Sequence, residues 1–212
     1  MTKLELIKET HPDYDYLFDC KFEDKYISYG IIKGNNKVLF IKSGLEGSLV
    51  GYKDKYYNLA RFVNKKYGYT VVCSNNPKTS NLNQLSQGIE IINAFMEELK
   101  FDSFDIYCYG NSNGGVIMGR YAYLYPNIKK LLLINPPLFI SYHKLKDGIL
   151  KFNNDKITFI YGMLDPSYKF VEFLDLLNTD KVSYVILENE DHNLSNNTYS
   201  LEELVDKYLL NE

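Results

Sequence analysis

Short, nearly unbroken apolar runs recur along this chain at 37–41, 69–73, 104–109, 130–134, 156–161 and 182–187. Strands of that kind are buried on both faces, as in a parallel sheet. Between them the apolar positions space out. Leu82, Leu85, Ile89, Ile92, Phe95 and Leu99 fall three and four apart, which predicts an amphipathic helix over 80–99. Further helices are predicted from about Asp54 to Lys66, ended by Gly68, over 116–124, stopped by Pro126, over 167–178, and from about Leu201 onward. The opening has another character. Leu4 to Glu9 and Tyr26 to Lys33 read as strands, and Gly34-Asn35-Asn36 supplies a turn into 37–41, so this part is expected to be antiparallel. Strands alternating with helices define an α/β fold: a mostly parallel twisted sheet, helices on both faces.

No repeat or linker divides the sequence, and 212 residues suit one domain with a sizeable core. A hydrophobic fraction of 45% and a net charge of −3 describe a globular chain without a nucleic-acid footprint or a polybasic membrane anchor. The segment from Met1 to Glu9 alternates charged and apolar residues and lacks the apolar core of a signal peptide. The longest apolar stretch, 131–140, is interrupted by Asn135-Pro136-Pro137 and is too short to cross a bilayer. Cys20, Cys73 and Cys108 are odd in number, and the last two sit in predicted strands. They read as buried thiols, and a cytoplasmic protein without stable membrane insertion is expected. No coiled-coil pattern or apolar stripe marks an oligomer interface.

The chemistry centres on Gly110-Asn111-Ser112-Asn113-Gly114-Gly115, between the strand 104–109 and the helix after it. A serine on a tight strand-to-helix turn, flanked two positions away by glycines, is a nucleophile elbow. By chance alone G-x-S-x-G arises in about one chain of this length in fifteen. Its placement, and not its presence, carries the argument. Gly110 and Gly114 are required where side chains would collide between strand and helix.

A serine hydroxyl needs a base within hydrogen-bond reach and a third group to orient that base. Of three histidines, His11 precedes the sheet centre, His143 reads as a surface residue, and His192 follows the last strand directly. Loops at the carboxyl ends of parallel strands gather on one edge, which would bring Ser112 and His192 together. The loop after 156–161 carries Asp165, giving the order of a Ser-Asp-His triad: Ser112, Asp165, His192. Glu190 and Asp191 compete by proximity, but a sequence neighbour is poorly placed to hold the imidazole edge. Asp165 before Pro166-Ser167 also reads as a helix N-cap, and the two roles are compatible. An oxyanion hole needs two backbone donors. Asn113 N–H at the start of the elbow helix is one, and Leu45 N–H in Ser43-Gly44-Leu45-Glu46-Gly47-Ser48 is the other. Leu138, Phe139, Tyr142 and Tyr168 are candidate substrate-pocket residues, although most of the twenty tyrosines simply pack.

These four segments, in this order, resemble the α/β-hydrolase superfamily, and the resemblance runs from about Tyr26 onward. It implies a single α/β-hydrolase domain that cleaves carboxylic esters or thioesters through an acyl-serine intermediate, on a small-molecule substrate and without metal or organic cofactor. An amide or peptide hydrolase with the same triad, or a non-catalytic ligand-binding protein on that fold, are the alternatives. The chain departs from the superfamily pattern at Ser43, where histidine is common, and the smaller side chain is expected to loosen the oxyanion loop. The stretch from Pro136 to Asp155 has room for one helix, so no separate cap domain is expected over the site.

Overall fold

A computed structural model of the chain describes residues 13–79, 84–196 and 198–211. The expected strand at Leu4 to Glu9 and His11 lie outside the described residues. Eight strands form one sheet among the described residues: β1 Tyr16–Phe22, β2 Lys25–Ile32, β3 Asn35–Lys42, β4 Tyr69–Ser74, β5 Asp105–Asn111, β6 Ile128–Ile134, β7 Lys156–Gly162 and β8 Val182–Leu187. Their spatial order is β1-β2-β4-β3-β5-β6-β7-β8. The pairs β1/β2 and β2/β4 are antiparallel, and every pair from β4 to β8 is parallel. This is the mostly parallel sheet with an antiparallel start that the apolar runs imply.

Alternate residues of each central strand feed two cores. Val38 and Phe40 of β3 and Cys108 of β5 face one side, while Leu39, Ile41 and Tyr109 face the other. Helices α2 (Gln84–Glu98), α3 (Asn113–Tyr121) and α4 (Leu138–Lys151) cover the first face. Helices α1 (Lys55–Tyr67) and α5 (Leu201–Val205), the latter continuing as a π-helical turn Asp206–Leu210, cover the second. Buried Leu85, Ile89, Ile92 and Phe95 lie on α2 as their spacing requires, whereas Leu82 is outside the described residues. One helix, α4, fills the stretch between β6 and β7. Helix α1 ends at Gly68, whose φ of 70° is the left-handed cap that glycine adopts without strain.

The structure departs from the expectations in three places. Gly34-Asn35-Asn36 is not a hairpin turn, because β4 lies between β2 and β3. The segment instead crosses the start of β4, where Gly34 N–H donates to Thr70 Oγ1 at 3.0 Å and Asn35 N–H to Gly68 O at 2.7 Å. Strand β3 is apolar on both faces, so two parallel neighbours satisfy it better than an exposed hairpin partner. The hairpin belongs to β1 and β2, turning at Glu23 with φ 58°. Its signal was the alternation of Tyr16, Phe18 and Cys20 with Leu17, Asp19 and Lys21. Finally, the segment after Asp165 is a 3-10 helix, Pro166–Leu177, rather than an α-helix.

Candidate active site

Strand β3 connects to β4 on one side and has β5 on the other, so the side on which successive strands are added reverses there while the strands stay parallel. Loops leaving the carboxyl ends of neighbouring strands at such a point diverge and leave a crevice. Ser112 stands in it, with φ 51° and ψ −118°, a conformation costly for a residue with a Cβ. The two glycines make the turn possible in different ways. A Cβ on Gly110 would lie 2.7 Å from Gly115 Cα, so strand and helix touch there. One on Gly114 would lie 2.5 Å from the carbonyl oxygens of Lys42 and Ser43, so the helix also packs against the end of β3.

His192 and Asp165 complete a hydrogen-bonded chain. His192 Nε2 is 2.9 Å from Ser112 Oγ, and His192 Nδ1 donates to Asp165 Oδ2. Because the carboxylate only accepts, Nδ1 carries the proton and Nε2 is left to accept from the serine hydroxyl. The Asp165 side chain is fully buried, whereas that of His192 is 41% exposed, so the chain runs from the interior to the cleft. Asp165 Oδ1 also accepts from Ser167 N–H at 2.6 Å, so the helix cap and the histidine contact coexist on one carboxylate. The competing acids are engaged elsewhere. Asp191 accepts from Asn193 N–H and Ser195 N–H, both at 2.9 Å, and from the Ser195 hydroxyl, bonds that hold its carboxyl below the usual range. Glu190 is buried and accepts from Asn196 N–H (3.3 Å) and Thr198 N–H (2.7 Å), bracing the loop that carries His192.

The loop after β3 closes on the same point. A Cβ on Gly44 would stand 3.3 Å from Ser112 Cβ. Ser43 does not loosen this loop. Its buried hydroxyl lies 3.0 Å from Gly47 O and 3.2 Å from Ser74 O, and its one proton is shared between them. Buried Asn76 adds a brace, donating from Nδ2 to Ser43 O (3.0 Å) and Asn113 Oδ1 (3.1 Å). Glu46 N–H donates to Asn76 O and Gly47 N–H to Gly44 O, while among the described residues no such backbone bond of the turns and loops takes the N–H of Leu45 or Asn113. Asn113 opens α3, where the helix dipole favours negative charge.

Two residues that sequence reasoning passed over organise the site. Asn135, fully buried with φ 46°, donates from Nδ2 to Asp191 O (3.2 Å) and His192 O (3.0 Å) and accepts from Gly162 N–H at Oδ1 (2.9 Å). It thereby ties the end of β6 to the loops bearing Asp165 and His192. Its signal was a polar residue breaking an apolar run at a strand end. Lys42, also fully buried, donates to Ser74 Oγ (3.3 Å) and Asn75 O (3.2 Å) just before the loop of Leu45, and burial lowers its amine to about 7.

A cleft of about 380 Å³ opens beside Ser112 and His192, walled by Gly44, Leu45, Tyr52, Lys55, Tyr56 and Asn111, among others. It takes none of its lining from Leu138, Phe139, Tyr142 or Tyr168. Leu138 is buried in the core, and Tyr142 and Tyr168 pack against that core. Phe139 is 71% exposed and meets Phe170 at 5.1 Å between ring centres. Leu138, Phe139 and Tyr142 lie on α4 and Tyr168 on the 3-10 helix that packs beside it, elements that take no part in the lining of the cleft.

No protein-family model matches the sequence, and no curated protein matches it. Solved structures do. An alpha-beta serine hydrolase homologue from Coxiella burnetii superposes with a TM-score of 0.66 at 16% identity, over 91% of this chain and 96% of that one. Est1E from Butyrivibrio proteoclasticus gives 0.65 at 14%, over 90% and 94%. A dienelactone hydrolase from Anabaena variabilis gives 0.63 at 15%, over 92% and 97%. The chain therefore has the α/β-hydrolase fold, spanning nearly the full length of these structures. Among the described residues, no helix is long and apolar enough to cross a membrane.

Proposed function

We propose that this chain is a serine hydrolase, acting as one domain without a cap, that cleaves carboxylic esters or thioesters of small molecules. The observation that carries the reading is the continuous hydrogen-bonded chain from buried Asp165 through His192 to Ser112. Ser112 attacks the carbonyl carbon while His192 Nε2 takes its proton and later delivers it to the leaving group. Asp165 holds the tautomer and stabilises the imidazolium. The oxyanion of the tetrahedral intermediate is received by Leu45 N–H and Asn113 N–H. Water then repeats the sequence on the acyl-serine. The hydrolase names of two of the structural neighbours support the same chemistry. Three buried free thiols support a reducing compartment such as the cytoplasm.

The test is labelling with a fluorophosphonate probe, read by intact and peptide mass, with Ser112→Ala beside it. One adduct on Ser112, absent from the variant, is expected, and an ester, thioester and amide panel then ranks the bonds cleaved. A well-folded protein that takes no adduct refutes the proposal.

A further inference from the structure

A second cleft, of about 300 Å³, adjoins the first and shares Tyr52, Lys55 and Asn193 with it. It lies between the start of α1 and the loop after His192, and Tyr109 of β5 reaches it from the sheet. Tyr109 is fully buried, and among the described residues its hydroxyl has no hydrogen-bond partner. A buried hydroxyl without a partner is costly, and a polar group that fits against it recovers the loss.

Lys55 forms the boundary between the two clefts. Its ammonium donates to Asn193 O at 3.1 Å, and burial depresses its amine, with Asp191 opposing the shift. The ammonium also lies over the Tyr56 ring, 5.2 Å from its centre, so its close partners are neutral and Asp191 acts on it only as a neighbouring charge. Lys53 lines the second cleft as well, and Glu202, which accepts from Ser200 Oγ at 3.2 Å, is the acidic residue in its lining among the described residues. The walls thus carry the cations of Lys53 and Lys55, with Glu202 in the lining and Asp191 beside Lys55 as counter-charges, and a spare donor in the interior.

The side of the substrate follows from the chemistry. His192 must protonate the leaving group, so that half of the ester lies toward the histidine loop. The second cleft begins at Asn193, the next residue. We propose that this cleft is a subsite for a carboxylate carried on the alcohol half of the ester, held by the Lys55 ammonium and the Tyr109 hydroxyl. The inference rests on the hydrolase reading and narrows its substrate class to esters of hydroxy acids.

The experiment compares kcat/KM for the acetate ester of para-hydroxyphenylacetate with that for the acetate ester of para-isobutylphenol, which puts an isopropyl group in place of the carboxylate. A charge-assisted hydrogen bond predicts that the charged ester is preferred by about tenfold or more. Lys55→Gln is expected to abolish the preference and Lys55→Arg to keep most of it. Tyr109→Phe is expected to weaken the preference severalfold while raising Tm by about 2 °C or more, since it removes an unpaired hydroxyl. A merely structural tyrosine would lose stability instead. Ser112 labelling of the same proteins separates the two readings. Labelled protein that shows no preference for the charged ester, or one indifferent to both Lys55→Gln and Tyr109→Phe, overturns the subsite alone. Unlabelled protein overturns the hydrolase reading. Calorimetry with para-hydroxyphenylacetate then decides the subsite: binding lost in Lys55→Gln supports it, and no binding ends it.

Discussion

Lys42 allows a quantitative test of how the end of β3 and the loop after it are held. Its ammonium is fully buried at the carboxyl end of β3, with a hydroxyl and a carbonyl as partners and no carboxylate among them. Burial lowers the amine from 10.5 to about 7. Between those values the unfolded chain binds the proton and the folded chain does not, so stability rises with pH through that window. Below pH 7 both states hold the proton and the penalty is full. Each pH unit is worth about 1.4 kcal/mol, so the buried charge weakens the fold by about 5 kcal/mol in acid and about 2 kcal/mol at pH 9. Lys42→Met removes the charge and keeps most of the volume, but it strips Ser74 Oγ and Asn75 O of a donor, at a loss of about 1–3 kcal/mol. The variant should be the more stable protein below pH 7 by about 2–4 kcal/mol, with the difference closing near pH 9. Urea unfolding of both proteins from about pH 6 to about pH 10 reads this directly. A stability difference that stays constant across that range would refute the reasoning, because it would mean that Lys42 folds with its proton.

Asn135→Ala removes three hydrogen bonds and leaves Gly162 N–H buried without an acceptor. A loss of about 3 kcal/mol in urea unfolding is expected, together with a fall in kcat as the acid and histidine loops part. Asp165→Asn should lower kcat by a factor on the order of 10⁴ while leaving Tm within a few degrees, since an asparagine still caps Ser167 N–H. Steady-state kinetics and a melting curve on one preparation separate these effects. All three cysteines are buried, and burial raises each thiol, Cys20 to about 11 and Cys73 to about 12. A thiol reagent at pH 7.5 (roughly a unit below a free cysteine) should titrate none in native protein and all three in denaturant.

Fold class and the chemistry-bearing segments were legible because both depend on short-range features. A strand buried on two faces must be apolar throughout, and an elbow must place small residues beside its serine, so β3 to β8 and Ser112 announce themselves. Asp165 and His192 were reachable through chain order alone, since loops at the carboxyl ends of parallel strands share one edge. Asn76, Lys42 and Asn135 were not. Each acts through partners distant in the chain, such as Asn135 with Asp191 and His192, and no local pattern encodes that pairing.

Tertiary structure alone also decided where the strands sit and what lines the site. Gly34-Asn35-Asn36 has the composition of a hairpin turn, yet β4 takes the place beside β3, because strand pairing is settled by which faces remain to be buried across the whole sheet. The walls of the cleft came from the loop after β3 and the start of α1, not from α4. By itself the sequence determined that a sheet of buried parallel strands would present a serine, a histidine and an acid along one edge. Distances, burial and the orientation of α4 had to wait for the packed structure, since they arise from contacts between segments whose separation in the chain carries no record of their meeting.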